Sequence, residues 1–221
     1  MNTHFLYMPI LGLAALAPFA TASTTWTQTW NVSTTIPDND DVGFSDMRTV
    51  IAPMISEIES VTVNLNFSGG WNGDLYAYLV YDTGFAVLLN RPGRSLTVPD
   101  GSGTVGMNIH FDDDALDDLH MTIPLTGDSV TGTYQPSGRI TDPLEVLDTD
   151  PRTAMLSSFV GLDASGDWTL FVADQSAGET STLESWTLTI TGIPEPSSAL
   201  LVLIGGLTLT MHRRRKSLPV C

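Results

Sequence analysis

The sequence predicts an all-β domain, a sandwich or jelly roll, set between two hydrophobic ends. Three observations predict it. Val61-Thr62-Val63-Asn64-Leu65-Asn66-Phe67 alternates strictly, which is the period of a strand with one buried face. Trp168 to Val172 and Trp186 to Ile190 each open on Trp and continue with threonine and apolar residues, as strands do. Runs of this kind recur between Gly, Asp and Pro turns, and no amphipathic helix longer than two or three turns interrupts them. Sheet packed on sheet is the solution that buries such segments.

In chain order, the expected strands are Trp26 to Val32, Thr49 to Ala52, Val61 to Phe67 and Asp74 to Tyr81. Val105 to Ile109, His120 to Leu125 and Gly132 to Tyr134 follow, and then the two Trp strands. Trp168 and Trp186 open alternating strands and are expected in the core. Trp71 sits in the Gly-rich turn Gly69-Gly70-Trp71-Asn72-Gly73 and is the aromatic placed for ligand contact. No repeat and no Pro- or Ser-rich linker divides residues 24–192, so they read as one domain.

The two ends carry the targeting information. The apolar run Phe5 to Phe19 ends in Ala20-Thr21-Ala22, so residues 1–22 read as a signal peptide cleaved before Ser23. At the other end Pro194-Glu195-Pro196 precedes an apolar run, 197–211. A basic cluster, 212–216, then contains Arg213, Arg214, Arg215 and Lys216. Cations after an apolar span hold its C-terminal end in the cytoplasm and leave the domain outside.

Charge and cysteine count narrow the function classes. The chain carries a net charge of −16, with four of its nine basic residues in the terminal cluster. Without the tail from Glu195 onward the charge is about −19, which repels nucleic acid and anionic lipid. The single cysteine, Cys221, is the last residue, so the domain holds no disulfide, zinc thiolate or cysteine nucleophile.

The tripartite tail, residues 193–216, resembles the PEP-CTERM sorting signal of Gram-negative bacteria that make extracellular polysaccharide. The resemblance implies recognition of Pro194-Glu195-Pro196 by an exosortase. The protein is then held in the inner membrane before processing and delivered to the periplasm, outer surface or extracellular matrix.

A second resemblance spans residues 24–192. Gly73-Asp74-Leu75 with Tyr78-Leu79, the loop Phe111-Asp112-Asp113-Asp114-Ala115, Thr131-Gly132-Thr133-Tyr134-Gln135-Pro136 and Leu156 to Gly161 occur in that order. Gly166-Asp167-Trp168-Thr169-Leu170 with Asp174, then Leu183 to Leu188, close the series. Together they resemble the P domain that accompanies subtilisin-like proprotein convertases, which implies a jelly roll of about eight strands. The stretch Gly138 to Arg152 is longer than the family's usual link.

For chemistry, the domain has only His110 and His120 as imidazoles and lacks a G-x-S-x-G elbow, so a serine triad is not expected. Clustered carboxylates suit a hard cation, and the acidic loop of bacterial P domains implies calcium at Asp112, Asp113 and Asp114, with Asp174 converging on them. The same aspartates also fit a solvated acidic turn. The expected function is that of a non-enzymatic exported protein for structure or adhesion. Its alternatives are a calcium-dependent module binding extracellular polysaccharide or a surface protein, and an accessory domain related to those of subtilisin-like proteases.

Overall fold

The computed structural model describes residues 23–195. Residues 1–22, expected to be a signal peptide, lie outside the described residues, as do Pro196, the apolar run 197–211 and the cluster Arg213, Arg214, Arg215 and Lys216. Within 23–195 no helix is long and apolar enough to cross a membrane.

Ten strands form two sheets. They are β1 (Thr24–Thr35), β2 (Asp40–Val50), β3 (Ile55–Trp71), β4 (Leu75–Tyr81), β5 (Gly84–Asn90), β6 (Gly103–Phe111), β7 (Thr126–Gly127), β8 (Val130–Tyr134), β9 (Gly166–Asp174) and β10 (Ser181–Pro194). One sheet runs β1-β10-β3-β6-β7, with β8 also on β6, and the other runs β2-β9-β4-β5. The pairing is antiparallel apart from β7 and β8, which lie parallel to β6. The all-β expectation holds.

The alternation read in β3 is the reason for its place. Val61, Val63, Leu65 and Phe67 point into the core and the residues between them point out, because successive side chains of a strand face opposite sides. From the other sheet, Leu75, Ala77, Leu79 and Tyr81 of β4 and Trp168, Leu170 and Val172 of the adjacent β9 point into the same core. Trp168 and Trp186 are both 0% exposed. Tyr81 stacks on Trp168 at 4.3 Å with an interplanar angle of 10°, a contact type worth about 0.5–1.5 kcal/mol beyond area burial. The buried indole of Trp186 donates to Asp46 Oδ2 at 2.7 Å, which satisfies its one polar atom.

Three expectations need correction. Residues 120–125 are not a strand: Leu119–Thr122 forms a single helical turn, α1. Asp118 caps it, accepting from the His120 N–H through its carboxylate and from Met121 and Thr122 through its carbonyl. β2 is eleven residues long and begins at Asp40, so most of it lies before the segment expected at Thr49. Finally, β10 runs from Ser181 through Pro194 rather than from Trp186 to Ile190, with Ile193 opposite Glu57 and Pro194 opposite Ile55.

The long link after β8 acts as a cover. Arg139, 2% exposed, donates to Asp118 Oδ2 at 2.8 Å, and Arg152 reaches Gln135 Oε1 at 2.6 Å. The backbone of the link takes up the free edge of β5: Gly138 N–H donates to Val87 O and Val87 N–H to Ala154 O, both at 2.9 Å. An edge strand covered in this way offers no template for another chain.

Candidate functional site

The β3–β4 turn and the loops around it form the most unusual end of the sandwich. Asn72–Asp74 makes one 3-10 turn between β3 and β4, and all three residues are buried. It is held from outside by Gly73 N–H donating to Ser102 O at 2.7 Å and by Asn72 Nδ2 donating to Thr104 Oγ1 at 2.8 Å. A side chain at Gly73 would strike the Ser102 and Asp100 backbone, since its Cβ would lie 2.5 Å from Ser102 N. Glycine is therefore needed there for close approach.

This turn delivers Asp74, 2% exposed, beside Arg91, 6% exposed. Arg91 Nη2 lies 3.4 Å from Asp74 Oδ1 and Arg91 Nε donates to Gly73 O at 2.9 Å. Asp174, 0% exposed, closes β9 opposite Leu75. Burial pushes the Asp74 carboxyl up to about 7, helped by the neighbouring Asp174 and opposed by Arg91. Burial raises Asp174 as well. Asp74 Oδ2, Asp174 Oδ2 and Asn72 Oδ1 have no hydrogen-bond partner. A carboxyl protonated near neutrality is the state a general acid needs, and this one is 2% exposed.

Trp71, at the end of β3, is 42% exposed and stands in the wall of a groove of about 430 Å³ beside Asp100 and Leu125. The expected exposure of that indole is what the structure shows. Gly178 lies against its ring, where a Cβ would come within 3.1 Å of Cζ3.

The four carboxylates expected to share one ion are not brought together. Asp112, Asp113 and Asp114 follow β6 at the end where Phe111 pairs with Val63. Asp174 sits at the end where Trp71 pairs with Val105 and Leu75 with Asp174. Roughly 25 Å of strand separates the two ends. Asp112 Oδ1 accepts the Asp114 N–H at 3.0 Å, and Asp113 accepts the Leu156 and Ser157 N–H groups at 3.1 and 2.7 Å. Among the described residues no group of three or more His, Asp or Glu side chains is arranged to hold a metal ion. The four aspartates therefore do not fit a single calcium site.

Of the imidazoles, His120 is 2% exposed, with Nε2 2.9 Å from Arg94 O, and burial lowers its pKa. His110 lies half-buried on β6. Of the residues expected to form a sorting motif, Pro194 and Glu195 are described, and Glu195 N–H donates to Met54 O at 3.2 Å.

Asp74 was missed as a site residue by sequence reasoning, although the turn-to-strand step Gly73-Asp74-Leu75 contains it. A lone acid before an apolar strand looks like a solvated turn. Only the packing of the 99–104 loop over it reveals the burial.

The proprotein convertase P-domain family matches residues 144–190. Among curated proteins none matches the chain. Two structures of one protease are among the similar solved structures. The serine protease of Aeromonas sobria in complex with its chaperone is 17% identical with a TM-score of 0.45, covering 81% of this chain and 28% of that one. The same protease alone is 18% identical with a TM-score of 0.45 and the same coverages. This chain thus spans little more than a quarter of those proteins. The described residues form a two-sheet β-sandwich, and within it residues 144–190 are similar to the proprotein convertase P domain.

Proposed function

We propose that this chain is an exported surface or matrix protein whose sandwich serves structure or adhesion without catalysis, and that an exosortase sorts it through Pro194-Glu195-Pro196. The observation that carries the reading is the end of β10. Pro194 is the last rung of the ladder with β3, and Glu195 is tied to Met54. The motif therefore leaves the sheet with no spacer, and the apolar run 197–211 follows at once. An anchored start to the motif, next to an apolar run in the sequence, suits a processing enzyme that works at a membrane.

The test is to express the full chain in a Gram-negative host with its exosortase and in the same host lacking it. The mass and membrane partition of the product are then measured. Loss of the tail and departure from the membrane fraction are expected only with the enzyme present. The same mass and partition in both hosts would sink the reading. The family match at residues 144–190 favours a second reading, an accessory module for a separate subtilisin-like protease. The two differ in whether a protease co-purifies with the exported chain.

A further inference from the structure

The outer face of the four-stranded sheet is expected to be polar where an antiparallel sheet meets water. Here it is aromatic. Tyr76 and Tyr78 lie two residues apart on β4 and so share a face. Phe171 of β9 is paired directly with Tyr78, and each of the three is half-buried rather than in the core. Tyr78 stacks on Phe171 at 4.7 Å and 17°. Tyr76 stands edge-on to both, at 6.3 Å from Phe171 and 5.8 Å from Tyr78. None of these rings is needed to close the core, which the opposite face of β4 already fills.

The rings floor a groove of about 310 Å³, bordered by Asp41, Asp142 and Gln175. Its wall is built in advance. Asp142 Oδ1 accepts the Leu144 N–H at 2.8 Å, buried Asn90 donates to Thr141 O at 2.8 Å, and Arg94 donates to the Leu144 and Val146 carbonyls. Asp142 stands near enough to Tyr76 to raise its phenol, after burial and Tyr78. A fixed wall lowers the ordering cost of binding.

We propose that this groove binds a neutral polysaccharide, with sugar rings laid on Tyr76, Tyr78 and Phe171 and their hydroxyls donating to Asp41, Asp142 and the Gln175 amide. The C–H face of a pyranose is apolar and electron-poor, and it suits the negative face of an aromatic ring. Sugar hydroxyls form charge-assisted hydrogen bonds to carboxylates. A domain charge near −19 opposes an anionic saccharide. The groove has the size of a small-ligand site and is too small to stand alone as a stable protein interface. The proposal names the ligand class for the adhesive reading above and rests on it for its biological sense. Sugar binding and tail processing are measured separately, so either can fail alone.

The experiment titrates the full chain, held in a zwitterionic detergent without sugar headgroups, with cellohexaose, xylohexaose and mannohexaose by calorimetry. At least one is expected to bind at millimolar concentration. Tyr76→Ala is expected to weaken that binding about tenfold, and Asp41→Asn about threefold. Asp41 is exposed, so its variant tests the groove without disturbing the sheet. Leu116→Ala, at a residue 97% exposed beyond the acidic loop, is expected to bind like the parent. Absence of binding by all three hexasaccharides overturns the proposal. So does parental binding by both Tyr76→Ala and Asp41→Asn, or loss of binding on Trp71→Ala alone. Self-association of the full chain that Tyr76→Ala abolishes would make the face an interface between copies, and the sugar assignment falls.

Discussion

The two acidic ends of the sandwich use the same side chain in opposite ways. At one end Asp112, Asp113 and Asp114 form a visible run, and the carboxylates of the first two cap backbone N–H groups of their own loop and of the Leu156–Phe159 3-10 turn. At the other end Asp74 and Asp174 lie 100 residues apart in sequence and meet in the interior, each with an oxygen left without a partner. Density of acids along the chain marks turns, because Asp is a good local cap. Burial of an isolated acid marks a constraint, because a carboxylate out of water costs several kcal/mol unless it is paired. The comparison assigns a local structural role to the first end and a fold-wide electrostatic one to the second.

The largest effect is expected at Arg91. Arg91→Ala removes the counter-charge of Asp74 and the donor to Gly73 O. Breaking a buried pair from one side typically costs about 3–5 kcal/mol. A urea unfolding midpoint unchanged by this variant would show that Asp74 is protonated and self-sufficient in the folded domain.

A smaller effect tests the Asp74–Asp174 coupling through pH. The folded domain holds Asp74 near 7 against an ordinary value of 3.8, so it retains a proton that the unfolded chain releases. Stability from this group is therefore full below about pH 4 and is lost as pH rises toward 7. Asp174→Asn removes the neighbouring charge and keeps the Oδ1 that accepts the Ser176 N–H at 3.1 Å. The melting temperature of the variant should fall less between pH 4 and 8, and at pH 8 it should exceed that of the parent. Each unit by which the Asp74 pKa drops corresponds to about 1.4 kcal/mol. Parallel melting profiles for the two proteins would sever the pair.

Much of the fold was legible because one-sided burial writes a period of two. β3 and the two Trp strands follow it, and both tryptophans are in the core as their strand positions require. β5 was missed for the opposite reason. Ala86, Val87, Leu88 and Leu89 are all 0% exposed, since the link after β8 covers one face and the core the other, and a strand buried twice shows no alternation. The segment after Leu119 looked like a strand because His, Met, Thr and Ile alternate in character, but Asp118 offers its N–H groups a cap that the pattern does not display. The candidate site was legible only in part. Trp71 announces its exposure through the glycines around it, whereas the Asp74–Asp174 pair and the Tyr76–Tyr78–Phe171 groove exist only through strand register.

The finest distinction lies inside the acidic run itself. Asp113 accepts two backbone N–H groups of the Leu156–Phe159 3-10 turn from 43 and 44 residues away. Asp113→Ala should cost about 1–2 kcal/mol, the range of a lost cap, because Leu156 is 1% exposed and its amide has no ready water. Asp114 offers only its backbone to the loop, donating its N–H to Asp112. Asp114→Ala should stay within about 0.5 kcal/mol, as surface substitutions do. The two variants differ by one position, remove the same charge and change net charge equally, so any gap between their unfolding midpoints isolates the cap from the electrostatics. Equal losses at both positions would instead mean that the run acts through its summed charge, and the contrast between the two ends of the sandwich would lose its basis.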